Sequence, residues 1–455
     1  MTCDLREKIL QYNGRVPRYT SYPAAPHFQI DENRTGGHWV KTMPEGTDLS
    51  LYIHIPFCQK MCWYCGCHTK ITRRYAPIED YVHLVVREID LLAAALPGDH
   101  RIKQIHFGGG SPGLVRATDF ALIMDRIRSH FSVADSAEIA IEIDPRNISE
   151  GRVATYAKHG VNRISLGVQD FNNKTLKAVN REQPFHLTYE GLKLIRGYGI
   201  KRINMDVLYG LPHQNVETVL ATLEKVLLLN PDRVAFFGYA HVPWMKKHMR
   251  MIDEGTLPKE DLRFDIFHAG TAFLNKAGYK TIGIDHFAKG DDPLYQSLQN
   301  GTLRRNFQGY TTDQTPALIG IGASAIGQTK NGFIQNHPDL PLYKQAILAE
   351  DLPIKKICPI GRDDEIRARI IENLMCYFTV NLNEICHNFG LDLSDFSREL
   401  DALKPYQTLG FVTCDSNVIT IHPDAILMVR TICSIFDRYF QPQNNADAPR
   451  HARAI

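Results

Sequence analysis

The stretch EIAIEID, residues 138–144, decides between two kinds of parallel sheet. Its isoleucines, 139, 141 and 143, fall on one face of a strand, while Glu138, Glu142 and Asp144 share the other with Ala140. A strand covered by helices on both sides reads as a nearly continuous apolar run. This one is polar on one side. The alternation returns in RISLGVQ (163–169), where Ile164, Leu166 and Val168 oppose Ser165, Gly167 and Gln169. It returns again in RINMDVL (202–208), where Ile203, Met205 and Val207 oppose Asn204 and Asp206. Private hydrogen bonds in a core explain one such strand but not three in series. The series predicts a partial barrel, with apolar side chains turned to outer helices and a polar interior.

The rhythm extends in both directions. SLYIHIP, IKQIHF and RVAFFGYAH are further short β-branched or aromatic runs, separated by helical patterns such as Ile78–Ala95, Phe120–His130 and Thr188–Tyr198. Strand–helix alternation specifies an α/β fold with a parallel sheet. Six units to about residue 250 predict a partial (β/α)6 TIM-like barrel. Ligands gather at the C-terminal ends of such strands, where Glu142, Gln169 and Asp206 fall. Two further extended runs, KTIGIDHFA and LIGIGASAIG, follow. Beyond Gly361 the pattern changes. DDEIRARIIENLMCYF and LDLSDFSRELDALKPY read as helices, and FVTCDSNVITIHP as a hairpin turning at Asp415-Ser416-Asn417. With a last helix from Asp424 to Phe440, this is a winged-helix-like layout. The expected division is a leader over residues 1–48, the barrel and its extension over 49–345, and a mainly helical C-terminal domain over 346–455, with a loose tail after Gln441.

A chain of 455 residues is long enough for two or three domains, and 44% hydrophobic with 22% charged residues suits a globular protein. With 52 basic and 50 acidic residues the formal net charge is +2, which favours neither nucleic acid nor a membrane surface as partner. No apolar run reaches the roughly 18 residues of a spanning helix. The charged start MTCDLREKIL lacks the apolar run of a signal peptide, so a cytoplasmic location is expected. Reducing surroundings favour metal-binding or catalytic thiols over disulfides.

Four of the ten cysteines stand in IHIPFCQKMCWYCGCHTK, residues 53–70. Cys58, Cys62 and Cys65 are spaced C-x-x-x-C-x-x-C, with Cys67 two further on. Zinc needs four closed ligands, commonly two pairs; only Cys62 and Cys65 form such a pair, and His54 or His68 would have to complete the set. Ferredoxin clusters use four cysteines at other spacings. Three thiolates on an iron–sulfur cubane leave one iron open, and the amine and carboxylate of an amino acid can chelate it. The remaining cysteines, 3, 358, 376, 386, 414 and 433, are scattered and read mostly as small buried hydrophobes.

The C-x-x-x-C-x-x-C after a first barrel strand, with Tyr64 before the third cysteine, resembles the motif of the radical S-adenosylmethionine (SAM) superfamily. The glycines 108–110 in IHFGGGSP and Glu142 support the likeness. PRYTSYP (17–23), LYIHIPFC, the fourth cysteine in CGC, IEIDPR, SLGVQDF, NREQ, DVLYGLP, YAHVP, DHFA and RNFQGYTT recur in order. Together they resemble the oxygen-independent coproporphyrinogen III oxidase (dehydrogenase) family over essentially the whole chain.

The resemblance implies oxidative decarboxylation of two propionates of coproporphyrinogen III to vinyls, giving protoporphyrinogen IX in anaerobic haem synthesis, by way of a 5′-deoxyadenosyl radical. It implies a [4Fe–4S] cluster on Cys58, Cys62 and Cys65 and two molecules of SAM. Tyr52, Tyr64, Gly109, Glu142 and Ile326 would contact the SAM on the cluster. Gly110, Ser111, Gln169, Arg181, Asp206 and Ala240 would form a second SAM site, with Ser111-Pro112 where the family has Thr-Pro. Tyr52, His54, Cys67, Phe307 and Gln308 match residues tied to activity. The leader would help enclose the substrate. Arg18, Arg304 and Arg305, with Lys246 and Lys247 farther off, are the basic candidates to meet substrate carboxylates. The resemblance further implies a low-potential electron donor such as flavodoxin, and a monomer. A haem-binding chaperone and a haem-degrading radical methyltransferase share the first three cysteines; Cys67, PRYTSYP and RNFQGYTT favour the oxidase.

Overall fold

The computed structural model describes residues 3–441, so the tail expected to be loose lies outside the described residues. The centre is a 13-stranded sheet. Six consecutive strands run parallel: β1 (Asp48–Ile55), β2 (Arg101–Gly109), β3 (Ser132–Ile143), β4 (Arg163–Gln169), β5 (Arg202–Tyr209) and β6 (Arg233–Gly238). Helices α1 (Ala76–Ala95), α2 (Ala117–His130), α3 (Glu150–Lys158), α4 (Phe185–Gly197) and α5 (Val216–Leu228) return the chain between them, and α6 (Glu260–Lys276) follows β6.

The alternation behaves as expected. Ile139, Ile141 and Ile143 on β3 are at most 3% exposed, and Ile164, Leu166, Val168, Ile203, Met205 and Val207 are at 0%. They share one core cluster with helix residues such as Val85, Ile89, Phe120, Val153, Leu192 and Leu223. Burying an aliphatic side chain contributes about 1.5–3 kcal/mol. A one-residue slip would turn Glu142 and Asp206 toward the helices, so the register is strongly specified. Glu138 sits in the middle of β3, back from the expected ligand end, where Arg163 pairs with it at 2.9 Å. Asp144 lies just past the strand and accepts from the Arg146 amide at 3.0 Å.

The sheet continues past the six units. Ala317–Ile321 lies parallel to β1, and Ile326–Thr329, Gly332–Asn336 and Ile354–Pro359 follow antiparallel. Gln29–Ile30, from the leader, adds the edge strand. On the far side Lys280–Ile282 and His286–Ala288 form a hairpin against β6. Both extended runs seen in the sequence thus belong to the main sheet.

The C-terminal part has α7 (Arg362–Tyr377), α8 (Leu382–Phe389) and α9 (Ser397–Thr408), with a 3-stranded sheet of Thr379–Asn381, Val412–Asp415 and Val418–Ile421. Helix α8 was not expected. Its cap is Asn381, whose side chain accepts from the Asn383 amide, and it ends at Gly390 with φ 60°. The hairpin turns where expected, at Ser416 and Asn417 with φ 51° and 67°, a left-handed pair that matches strand twist. The last helix is shorter than Asp424–Phe440. It consists of a 3-10 stretch, Pro423–Met428, interrupted at Ala425, and an α-helix over Val429–Cys433. Leu427, Met428, Val429, Ile432 and Phe436 are all buried, so packing on every side rather than one amphipathic stripe sets its course.

The leader joins this C-terminal core. Tyr19 and Tyr22 belong to its apolar cluster, and the Tyr19 hydroxyl donates to Asp437 at 3.2 Å. Among the described residues no helix is long and apolar enough to cross a membrane.

Candidate active site

The thiols leave β1 on a loop pinned at both ends. The Lys70 amide donates to Pro56 O at 2.6 Å and the Thr72 amide to Cys58 O at 2.9 Å. Its middle is held by Asn180 Nδ2 on Met61 O at 2.8 Å and by the Trp63 amide on Val179 O at 3.0 Å. Cys58, Cys62, Cys65 and Cys67 are free thiols. Among the described residues no three His, Cys, Asp or Glu side chains are gathered as for a single metal ion, unlike the tight tetrahedron of structural zinc.

Positive charge converges on Cys62. Arg181 Nη1 lies 3.5 Å from its Sγ and Arg146 Nη2 3.8 Å. The same groups bind Asp144 Oδ2, at 3.0 and 2.6 Å. Burial alone would push the Asp144 carboxyl up, but Arg181 and Arg146 outweigh it and hold it down at about 2. Burial pushes the Cys58 thiol up to about 11. A hydrogen bond from Cys67, with nearby His248 and Lys246, favours the Cys65 thiolate, and Cys67 keeps its proton. Tyr64 stands among Arg181, Cys62, Cys65 and Asp144. Arg146 was missed as a site residue, although it ends the IEIDPR motif.

The end of β2 lies against this loop. Gly110 N–H donates to Ile55 O at 2.9 Å and Ser111 N–H to Phe57 O at 2.8 Å. A Cβ at Gly110 would stand 2.7 Å from Phe57 O, so packing against the thiol loop itself requires the glycine. Gly109, at φ 116°, directs its N–H to Glu142 at 3.4 Å, and His106 Nε2 meets the other Glu142 oxygen at 3.0 Å. Buried Ser111 accepts from Asn147 Nδ2 at 3.3 Å, another contact the sequence did not reveal.

A cavity of about 320 Å³ opens here. Tyr52, His54, Cys67, Gly109 and Glu142 line one side; Phe307, Gln308 and Ile326 line the other. His54 Nε2 lies 3.1 Å from His68 O, which can only accept, so Nε2 carries the proton and Nδ1 accepts a hydrogen bond from the Tyr52 hydroxyl at 3.0 Å. Burial lowers His54 to about 4, leaving it neutral near pH 7. Phe307 and Gln308 reach the cavity on a tight turn between Arg304–Asn306 and Gly309–Thr311. Asn306 Oδ1 accepts from the Gln308 amide at 2.9 Å, and Gly309 takes φ 116°.

Deeper in the barrel, Gln169 ends β4 at φ 68°. Burial, then the charge of Glu142, raises the Asp206 carboxyl to about 6 against hydrogen bonds from Asn204 and Ser165. Arg181 Nε and Asn204 Oδ1 are buried without a partner.

A wider cavity, about 980 Å³, adjoins the first, and Phe307 and Gln308 line both. Ala240 is on its wall. So are Arg15, Arg18, Arg263, Arg305 and Arg430. Of the expected basic residues, Arg18 and Arg305 are in place. Arg304 instead pairs with Glu372 at 2.8 Å, and Lys246 donates to Cys67 O at 3.2 Å, above the thiol loop. Arg430 left a trace in the sequence, as a lone charge inside AILMVRTICSIF. Arg15 and Arg263 left none.

A family model described as the radical SAM superfamily matches residues 52–226. The oxygen-independent coproporphyrinogen III oxidase of Bradyrhizobium diazoefficiens is 43% identical over 442 residues, 97% of either chain. That of Helicobacter pylori strain J99 is 38% identical over 96% of either chain. A solved structure, coproporphyrinogen III oxidase (HemN) from Escherichia coli, described as a radical SAM enzyme, matches with a TM-score of 0.88 at 36% identity. It covers 93% of this chain and 98% of that one. These likenesses do not favour the chaperone or methyltransferase alternatives. With its thiol loop at the mouth of a six-unit parallel barrel, the chain belongs to the oxygen-independent coproporphyrinogen III oxidase family of the radical SAM superfamily.

Proposed function

We propose that the protein converts coproporphyrinogen III to protoporphyrinogen IX without oxygen, turning two propionates into vinyls with loss of CO2 from each. As a radical SAM oxidoreductase it works with a [4Fe–4S] cluster and SAM. The donor set suits such a group. Cys58, Cys62 and Cys65 would hold the cluster as thiolates, and the guanidinium groups of Arg181 and Arg146 beside Cys62 would balance their charge. The unpartnered Nε of Arg181 is a donor left for a ligand. When bound, the cluster and SAM supply a 5′-deoxyadenosyl radical that takes a hydrogen atom from carbon.

The chain's own side chains bind, orient and exclude water. Tyr52, Tyr64, Gly109, Glu142 and Ile326 would contact the SAM beside the cluster, with the Glu142 carboxylate accepting from hydroxyls. Gly110, Ser111, Gln169, Arg181, Asp206 and Ala240 would serve a second SAM. Neutral His54, donating to His68 O, fixes the direction of the Tyr52 hydroxyl. Phe307 and Gln308 stand where substrate and cofactor would meet.

The observation that carries this reading is the adjacency of the two cavities across Phe307 and Gln308, the wider one lined by five arginines. A macrocycle with four carboxylates needs such a lining, because charge-assisted bidentate pairs are its strong contacts. Arg18 has no hydrogen bond or ion pair among the described residues. It faces Asp285 and Arg305, and burial with the Arg305 charge lowers its pKa. The leader, residues 1–48, would close the wider cavity through Arg15, Arg18 and Thr20. The barrel and its extension (49–345) would supply the chemistry, and residues 346–455 would anchor the leader. A monomer in the cytoplasm, fed by a low-potential donor such as flavodoxin, completes the proposal, with neither nucleic acid nor membrane as partner.

The test is anaerobic incubation of reconstituted protein with coproporphyrinogen III, SAM and a reductant. Protoporphyrinogen IX is the expected product. Stoichiometric haem binding with the porphyrinogen untouched would favour a haem chaperone instead.

A further inference from the structure

Five arginines line the wider cavity, and so do four acids, Glu254, Glu260, Asp261 and Asp285. In a site for a ligand with four carboxylates an acid is out of place, because like charges repel. Three of the four have other surroundings. Glu254 accepts from His241 Nε2 at 3.0 Å, with its side chain 67% exposed. Asp261 is exposed, and Glu260 accepts from Asn13 Nδ2 of the leader at 3.5 Å. Asp285 differs. Its side chain is only 17% exposed, and it ends the turn between Lys280–Ile282 and His286–Ala288. That turn is pinned on both sides. The Tyr310 hydroxyl accepts from the Ile284 amide at 3.2 Å, and Asp285 O accepts from the Phe236 amide at 2.7 Å. His286 Nδ1 donates to Asp285 Oδ1 at 2.7 Å. Among the described residues Oδ2 has no hydrogen-bond partner, and no ion pair joins the carboxylate to Arg18 or Arg305. Burial opposes the charge, but His286, then Arg305 and Arg18, outweigh it and hold the carboxyl below the usual carboxylate range. An ionised carboxylate thus lines the cavity with acceptor capacity unused.

We propose that Asp285 accepts the pyrrole N–H groups at the centre of the substrate macrocycle. The proposal rests on the coproporphyrinogen reading and deepens it. Coproporphyrinogen III carries four carboxylates on its periphery and four pyrrole N–H donors in its middle. Its saturated bridges let the pyrroles tilt, so that their N–H groups point to one face and a single carboxylate can accept several of them. The oxidised porphyrin ring is flat, and two of its nitrogens are acceptors. One carboxylate among arginines therefore matches the reduced ring at its centre and at its edge. The position suits the reaction. A Cβ at Gly309 would lie 3.5 Å from His286 Cε1, so the His286 ring packs against the turn that carries Phe307 and Gln308. The anchor thus lies beside the junction of the two cavities, and a propionate at the ring's edge can extend across it. A hold on the ring's centre also survives rotation of the macrocycle, so the same carboxylate would serve both decarboxylations.

The test compares two ligands in the parent and in Asp285→Asn, with cluster-loaded protein and no reductant, by ultrafiltration under argon. Coproporphyrinogen III has the four N–H donors; copper(II) coproporphyrin III has the same four carboxylates and no N–H. The substitution is expected to weaken coproporphyrinogen III binding at least about tenfold, the scale of a lost hydrogen bond to a charged group. Copper coproporphyrin should bind the variant as tightly as the parent or more so, because a negative charge is gone. An equal change for both ligands, no change, or a loss confined to the copper porphyrin overturns the proposal; Asp285 would then only balance the arginines. Should the variant not fold, or the flat copper ring not enter the parent, a second ligand decides. The furan analogue of coproporphyrinogen III, with ring oxygens in place of the N–H groups, is expected to bind the parent at least about tenfold more weakly than the substrate, and equal binding overturns the proposal. A parent that binds none of these macrocycles would sink the coproporphyrinogen reading itself, and the proposal with it.

Discussion

The Nε of Arg430 donates to the carbonyl oxygen of Pro17 at 2.9 Å, and its Nη2 donates to that of Val16 at 2.6 Å. One guanidinium from the C-terminal part thus holds the leader at the wall of the wider cavity. Burial, Arg18 and Arg305 lower its pKa to about 10, so it stays charged near neutrality. The winged-helix-like part therefore serves as a clamp for the leader.

Arg430→Met removes both bonds and strands two carbonyls. A loss of about 2–3 kcal/mol is expected, as for hydrogen bonds to a charged group. The leader should become sensitive to limited proteolysis near residues 16–22, and the KM for coproporphyrinogen III should rise. Unaltered proteolysis and KM would show that the clamp has no part in substrate enclosure.

Arg181→Met should act on the thiol loop rather than on the leader. It takes away one of the two cations at Asp144 and the one nearer to Cys62. Breaking a buried pair costs about 3–5 kcal/mol, somewhat less here because Arg146 remains. The depressed Asp144 value contributes stability that is present above its ordinary 3.8 and lost as pH falls through about 2. With Arg181 gone the loss should begin at higher pH, read as an upward shift of the acid-unfolding midpoint, together with a lower iron content after reconstitution.

Cys62→Ala and Cys67→Ser should separate ligand from neighbour. The first is expected to abolish iron and sulfide incorporation and all SAM cleavage. The second keeps three thiols and should keep the brown cluster absorption while losing turnover. Iron and sulfide analysis checks both, and a cluster retained in Cys62→Ala would show the ligand set to be wrong.

Glu88 offers a pH test of stability far from the thiols. Buried on α1, it accepts from the Gly322 amide at 2.7 Å, Asn336 Nδ2 at 2.7 Å and the Tyr343 hydroxyl at 2.5 Å. Burial nevertheless raises its pKa from 4.5 to about 7. The folded state holds this proton more tightly than the unfolded chain, so the contribution is full below 4.5 and is lost as pH rises through about 7. The loss is about 3 kcal/mol. Glu88→Gln should flatten the fall of Tm with pH across this window, and equal slopes in parent and variant would exclude titration of Glu88.

Period-two alternation made the barrel legible, because Ile141, Leu166 and Met205 must face helices if Glu142 and Asp206 are to face the polar interior. The thiol spacing and the glycines likewise sit in contiguous sequence. Arg15 and Arg263 were not legible, because their roles come from contacts between distant segments that no local period encodes; Arg146 stood inside the IEIDPR motif, but its approach to Cys62 is a long-range contact. Helix α8 was missed because its 8 residues are too few for a clear repeat. The last helix was overdrawn because an all-apolar run shows no face. The roles assigned to Tyr52, Phe307 and Gln308 rest on family likeness, with the structure adding that all three line one cavity.

The most direct measurement is product analysis after anaerobic turnover of coproporphyrinogen III with cluster-loaded protein, SAM and a reductant. A porphyrinogen with two vinyls and two carboxyls fewer, formed with CO2 and 5′-deoxyadenosine, is the predicted result. Recovery of unchanged coproporphyrinogen III from protein that holds a full cluster and cleaves SAM would contradict the account.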